Sequence, residues 1–315
     1  MENLTAIQKA TYMLADLTTG GLLSPEQYLE FVEIPIKSSV LIGMVRVEQM
    51  GAPTKELSKA EAQARILFPG TEGNALQVAQ RTKAATSKTT LTSKLYRGAA
   101  PVTDEVLEDN ITKERFQTMV RDLAGKAVKR DMEDIAINSD TSSSDPTLAL
   151  QDGYIKLITT NLVAAGGIRL SKTTLRDMDL LMPDAFRRDP SEMRFLTSHK
   201  AAVWYRDSIA QRIGDVGDNA LLRGDADPQR GYANYNGTQI VPVPLFPSNL
   251  GGGLNESPVL YTDPKNLLFG IQRDVRVEFH RDPMAGTNYL IVSVRIGINV
   301  LHEQMSVKAT GVLVG

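Results

Sequence analysis

The chain contains no cysteine. Disulfide bridges and thiolate metal sites are therefore excluded, a usage that fits a reducing compartment. Histidine is nearly as scarce: His199, His280 and His302 are the whole supply, and each stands in a segment that a structural role explains. Neither sign of charge is in excess, because 35 basic residues against 37 acidic ones leave a net charge of -2. That balance gives no global attraction to nucleic acid or to an anionic bilayer. No apolar run approaches the roughly 20 residues of a membrane span. The first residues, MENLTAIQKATYMLADLTTGG, lack the basic and apolar regions of a signal peptide. The expectation is a soluble protein kept inside a cell, with no membrane partner.

Catalytic signatures are missing as well. There is no phosphate-binding glycine loop, nucleophile elbow or zincin helix. His280-Arg281-Asp282 looks like part of a kinase catalytic loop, but Pro283 follows it and Asn288 falls one place too late. Arg-Gly-Asp at 223–225 and the sequon at Asn110 are chance-level patterns. Asp215, Asp218, Asp225 and Asp227 lack EF-hand spacing and its closing glutamate, so they read as a solvated acidic loop. No catalytic residue, cofactor or metal site is expected, and the chain reads as a non-enzyme.

What remains is ordinary globular composition, 42% hydrophobic and 23% charged, in an uncommon order. Leu4, Ile7, Ala10, Leu14 and Leu17 give a short helical pattern that Gly20-Gly21 ends. SSVLIGMVRVEQM, 38–50, has the β-branched content of a strand. From Gly51 to Gly98 large apolar residues thin out, and RTKAATSKTTLTSK, 81–94, carries four positive charges and no acid. FPGTEGN, 68–74, reads as a turn and KTTLTSKLYRG, 88–98, as one extended strand. The stretch is thus a long hairpin-like excursion that returns close to where it left. Loops this long inside a compact domain are functional or disordered.

PVTDEVLEDN then leads into the longest helical pattern, ITKERFQTMVRDLAGKAVKRDMEDIAINSD. Phe116, Met119, Val120, Leu123, Ala127, Val128, Met132, Ile135 and Ala136 form its stripe, with Thr112 as N-cap. About 27 residues make a rod about 40 Å long. Residues 147–270 read as mixed α/β. LQDGYIKLITTNLV and SKTTLRDMDLLMP look helical, MRFLTS is a strand, and Ser198 caps a helix through HKAAVWYRDSIAQR. Residues 214–237 form a loop, and TQIVPVPLF is an extended edge segment because of its prolines. The last part is the clearest β signal: VRVEFH and YLIVSVRIGINVLH flank the turn RDPMAGTN, and EQMSVKATGVLVG adds a final strand.

This order resembles the major capsid proteins of tailed bacteriophages with the HK97 fold. KLYRGAAPVTDEVLEDN looks like the return from that family's E-loop into its P-domain, and the long helix like its spine helix. MRFLTSHKAAVWYRDS is similar to the opening of the central A-domain. VLYTDPKNLLFGIQRDVRVEF resembles the family's Asp-x-x-Asn segment and following strand. The resemblance implies an α+β capsid fold with an N-terminal arm (1–37), a strand and E-loop (38–100), a P-domain with spine helix on a β-sheet (101–146), a mixed α/β A-domain (147–270) and a β-rich return through the P-domain (271–315) that ends in the A-domain.

It also implies a virion protein, assembled in the host bacterial cytoplasm into hexamers and pentamers of an icosahedral head around double-stranded DNA. Its partners would be copies of itself, a portal protein, a separate scaffolding protein, a decoration protein where one binds, and DNA contacted non-specifically. An E-loop arm of about 20 residues spans about 65 Å. The radius of gyration of a 260-residue body is only about 18 Å, so the loop must reach a neighbour. Arg81, Lys83, Lys88 and Lys94 are then expected to land on acids of an adjacent subunit: Asp104, Glu105, Glu108 and Asp109, with Glu133 and Asp134 on the spine helix. Arg281 and Asp282 are expected where several subunits meet. Two other readings stand beside this one, an encapsulin-type nanocompartment shell and a cytosolic enzyme of unknown chemistry.

Overall fold

The computed structural model of the chain describes residues 40–61, 85–103, 113–187, 189–210, 233–253 and 255–315. The N-terminal helix pattern, the Thr112 cap, the 68–74 turn and most of the 214–237 loop lie outside them. Twelve strands are described: β1 (Arg46–Gln49), β2 (Thr54–Glu61), β3 (Ala85–Thr92), β4 (Lys94–Thr103), β5 (Leu162–Arg169), β6 (Arg194–Thr197), β7 (Asn234–Tyr235), β8 (Thr238–Pro242), β9 (Glu256–Thr262), β10 (Leu267–Asp282), β11 (Thr287–Val300) and β12 (Ser306–Leu313). They make a four-stranded sheet, β1-β10-β11-β4, a six-stranded sheet, β5-β12-β9-β6-β8-β7, and a separate two-stranded ribbon, β2-β3.

Helix α1 (Lys113–Asn138) lies on the four-stranded sheet. The spacing of its apolar stripe is recovered at Met132, Ile135 and Ala136, all buried. Ile137 and Glu133 are buried too, so this end is covered on nearly all sides. Asn138 fixes the end by donating to the Leu245 carbonyl at 3.0 Å. The chain then folds back tightly. The Gly153 amide donates to Ser139 O at 2.7 Å, and a β-carbon at Gly153 would stand 2.8 Å from the Ile137 carbonyl oxygen. Only glycine allows that approach.

The inner strands β9, β6 and β8 of the six-stranded sheet are covered on both faces, with successive residues buried along each. Neighbours along one strand point to opposite cores. Phe195, Ile240, Val259 and Tyr261 join helices α3 (Lys172–Leu181) and α4 (His199–Ala210). Leu196, Val241 and Leu260 instead join α1, Val294, Ile296 and Ile298. The second core therefore links both sheets. Ser171 accepts from the Thr174 amide at 3.5 Å at the start of α3. Ser198 accepts from Ala201 N at 3.4 Å at the start of α4, the cap its position anticipates.

Three local expectations fail for tertiary reasons. Of the described residues 40–50 only Arg46–Gln49 is strand. Leu41 to Val45 is a turn, with Val45 N donating to Leu41 O at 3.1 Å, because burying both Leu41 and Val45 requires that spacing. Of 150–163 only α2 (Tyr154–Leu157) is α-helical, since Leu162–Arg169 is taken up as a parallel partner of β12. Residues 88–98 are two strands broken at Ser93, one in the ribbon and one in the sheet.

The chain crosses between the large sheets at 263–266 and again at 301–305, and buried Asn266 holds both crossings. Its side chain donates to His302 O at 2.8 Å and Ser306 Oγ at 3.0 Å, and accepts from His302 N at 2.8 Å. Its carbonyl accepts from Leu301 N at 2.8 Å. Asp263 caps the short turn between, accepting from Lys265 N at 2.9 Å. This is the Asp-x-x-Asn segment, and its work is structural. Beside it Glu303 accepts from Thr159 N and Oγ1, both at 2.7 Å, and from Thr160 N at 2.9 Å. Burial pushes the Glu303 carboxyl up, but these donors outweigh it and hold the group below its usual range.

Two outcomes follow. Asn266→Ala leaves buried backbone groups unpaired and should lower unfolding stability by about 1–3 kcal/mol, read by urea denaturation; a loss under about 0.5 kcal/mol would count against the role, being the size of an ordinary surface change. Glu303, with its lowered pKa, adds stability above its ordinary value near 4.5 that disappears as pH falls through the folded pKa. The melting temperature of the wild type should therefore fall more steeply below pH 4.5 than that of Glu303→Gln, and parallel acid curves would remove Glu303 as the cause.

Candidate assembly surfaces

The ribbon β2-β3 pairs antiparallel from Thr54↔Thr92 to Glu61↔Ala85. Eight residues at about 3.4 Å carry it about 27 Å outward. One face alternates Thr54, Glu56 and Ser58 with Lys88, Thr90 and Thr92, all exposed. The other includes Leu57, Thr89 and buried Leu91. The excursion closes where it opened, with Ser93 N donating to Pro53 O at 2.8 Å.

Its root is seated in a dent in the four-stranded sheet. Gly270 and Gly297 are cross-strand partners, so their missing side chains lie side by side on one face. A β-carbon at Gly270 would meet Leu91 Cδ2 at 2.5 Å and Met50 Sδ at 2.6 Å. One at Gly297 would meet the Thr92 carbonyl oxygen at 2.6 Å. Hydrogen bonds pin the same root. Asn299 donates to Thr90 O at 2.6 Å, Thr89 Oγ1 to Leu301 O at 3.2 Å, and the Ser93 hydroxyl to Gln272. Met50 N donates to Ile271 O at 2.9 Å on the entering strand. Two glycines thus set where the ribbon leaves the body.

Charge at the root is paired within the chain. Lys55 Nζ lies 2.6 Å from Glu48, which also meets Arg46 at 2.6 Å. The Lys55 hydrogen bond, helped by Arg46 and opposed by burial, holds the Glu48 carboxyl below its usual range. Of the basic residues expected to reach a neighbour, Lys88 pairs with Glu56 across its own ribbon at 2.6 Å, which raises its pKa. Lys94 begins β4 on the sheet, opposite Ile296, and is not part of the ribbon. Arg81 and Lys83 lie outside the described residues, as do Asp104, Glu105, Glu108 and Asp109.

Glu133 is a correction. It was expected on an exposed acidic surface, yet it is completely buried. It sits on the helix face turned toward the 41–45 turn, where its carboxylate accepts from Leu41 N at 3.3 Å. Asp134, half-buried, accepts from Asn138 Nδ2 at 2.7 Å and so steadies the helix end.

The β10-β11 hairpin ends in Pro283-Met284-Ala285-Gly286, closed by Asp282↔Thr287. Asp282 accepts from Met284 N at 3.0 Å and Ala285 N at 3.4 Å, and Gly286 takes φ +56°. Asp282 thus shapes its own turn, which holds Met284 out at 99% exposure. Arg281 lies one place back, opposite Asn288. Among the described residues no group of three or more histidines and carboxylates gathers as a metal site, and no helix is long and apolar enough to cross a membrane.

Sequence reasoning located the excursion but missed its seat. Gly270 and Gly297 stand inside strongly apolar strands, where a glycine signals close backbone approach. That signal was present; the pairing that joins them was not visible.

Comparison with known proteins follows the same outline. The model of the phage capsid family matches residues 19–310. A putative prophage capsid protein, YqbE of Bacillus subtilis strain 168, is 32% identical over 289 residues, covering 90% of each chain. Among solved structures, the capsid of a native GTA particle superposes with a TM-score of 0.68 at 12% identity, covering 96% of this chain and 100% of that one. The SrpI encapsulin of Synechococcus elongatus PCC 7942 gives 0.60 at 12% identity, covering 97% of each.

The two glycines should respond differently to a methyl group. At Gly270 it strikes the ends of side chains, which can shift; at Gly297 it strikes backbone, which cannot without moving the root. Gly297→Ala should release amide protection over Thr89–Ser93 in hydrogen exchange, while Gly270→Ala keeps most of it. Overpacking of this kind typically costs about 1–3 kcal/mol. Equal protection in both variants would mean that the dent does not seat the ribbon.

Proposed function

This chain belongs to the phage capsid family and is a major capsid protein of the HK97 fold, and from that premise we propose how it builds a head. Copies form hexamers and pentamers that close into an icosahedral shell around double-stranded DNA. The ribbon of each subunit lies across the next, carrying Arg81 and Lys83 to that neighbour, and the Met284 turn meets other copies. The protein is a building block and catalyses nothing. A portal protein, a separate scaffolding protein, a decoration protein where one binds, and DNA held without sequence preference complete its partners. Assembly takes place in the host cytoplasm.

One observation carries this reading. Among the described residues the ribbon is an independent two-stranded sheet, fixed at its root, whose outer face is all Thr, Ser, Lys and Glu. An isolated two-stranded ribbon is marginal in water, so an adjacent subunit is the natural support. A symmetric shell repeats one such contact at every subunit. The encapsulin likeness supports a second reading, a shell around protein cargo. Nucleic acid against protein inside purified particles separates the two.

Because Pro53 and Ser93 already meet, the ribbon can be removed cleanly. Replacing residues 57–89 by Asn-Gly joins Glu56 to Thr90, which are paired across the ribbon, through a favoured two-residue turn. Leu91 stays in its seat. This variant should remain a folded monomer by circular dichroism yet form no closed particles under negative stain. Normal particles would show that the ribbon does not build the shell.

A further inference from the structure

The face of the four-stranded sheet that seats the ribbon also carries a cluster of arginines. Cross-strand partners share a face. One row across the sheet is Arg273, Arg295 and Leu95; the next is Arg276, Ser293 and Arg97. Register shifts in β10 on either side of Arg273 re-aim it beside Arg295. Two arginines directly opposite each other repel, and a local rule broken in this way marks a functional surface. At about 4.8 Å between strands and about 6.8 Å between alternate residues, four guanidinium groups stand over a patch about 10 Å wide.

Among the described residues the cluster is only partly neutralised. Arg276 pairs with Glu278 at 2.6 Å. Arg97, Arg273 and Arg295 have neither ion pair nor side-chain hydrogen bond among the described residues, and the Arg295 Nε is buried without a partner. Arginine forks suit carboxylates, which they grip through two parallel hydrogen bonds.

We propose that this arginine face receives the acidic segment 104–109 of a second copy of the chain. That segment, DEVLED, places Asp104, Glu105, Glu108 and Asp109 within six residues and includes no base. Its four negative charges face three unpaired arginines and Arg276, which Glu278 already shares. Lys88 was expected to meet these acids but is paired with Glu56, whereas the arginine face has charge to spare. Docking beside the ribbon root makes one continuous contact, since both lie on the same face of the same sheet. The inference rests on the shell reading, and it names the contact between adjacent subunits.

The absence of cysteine makes the test specific. Ala99, exposed and on the same face as Arg97, is changed in one chain, Ala99→Cys. Val106→Cys is made in a second chain, leaving all four acids in place. The two are mixed, assembled and treated with a short bis-maleimide. Covalent dimers should form only in the mixture and disappear when the Ala99→Cys chain also carries Arg97→Glu and Arg273→Glu. Adding Asp104→Lys, Glu105→Lys, Glu108→Lys and Asp109→Lys to the Val106→Cys chain should restore them. Particles without mixed dimers would overturn this docking alone; an unsubstituted chain that makes no particles would overturn the shell reading with it. Normal unlinked shells that lose nucleic acid when the arginines are reversed would assign the face to phosphate and also overturn the proposal.

Discussion

Buried Asn266 is the constraint on which the rest of the molecule depends. The chain passes between its two large sheets three times, and the last two passages, β9 to β10 and β11 to β12, converge on this one side chain and its carbonyl. Its reach extends further. Leu301, which donates to Asn266, accepts in turn from Thr89 at the ribbon root. The relation between the sheets and the departure of the ribbon are therefore set by one connected hydrogen-bond network. Buried networks of this kind are strong because every member is satisfied, and the low local dielectric makes each loss expensive.

The glycine dent adds a steric term to that polar one. Hydrogen bonds alone tolerate some rotation; a backbone carbonyl resting where a β-carbon would be does not. Gly270 and Gly297 turn the flat face of a sheet into a socket, and Leu91 fills it. The ribbon leaves from a rigid seat. Around that seat the charges divide into a neutralised set, Arg46, Glu48 and Lys55, and an unneutralised one farther along the sheet.

Much of this was legible in the residues, and what was not has identifiable causes. The long helix, the terminal hairpin, the helix within SKTTLRDMDLLMP, Ser198 as a helix start, and the return of the excursion all depend on local periodicity and turn chemistry, which sequence displays. The turn at Leu41–Val45 and the strand at Leu162–Arg169 depend on what the distant chain offers, a buried Glu133 in one case and the edge of β12 in the other. Glu133 illustrates the limit. A glutamate on an amphipathic helix belongs outside by composition, and only the packing of the 41–45 turn against that face takes it in. The glycine pair and the arginine rows are likewise products of register, and register between strands far apart in sequence leaves no local trace.

The place of β12 has a consequence in time. Residues 306–313 do not extend the six-stranded sheet at its margin; they sit inside it, parallel to β5 and antiparallel to β9. Until that segment leaves the ribosome, the sheet is two fragments with open edges. β4 likewise waits for β11. Pairings of such long sequence separation form late, so a nascent chain has neither a finished body nor a seated ribbon to offer its neighbours. Topology thereby sets an order in folding: neither large sheet is complete, and the ribbon has no full seat, until β11 and β12 have been made.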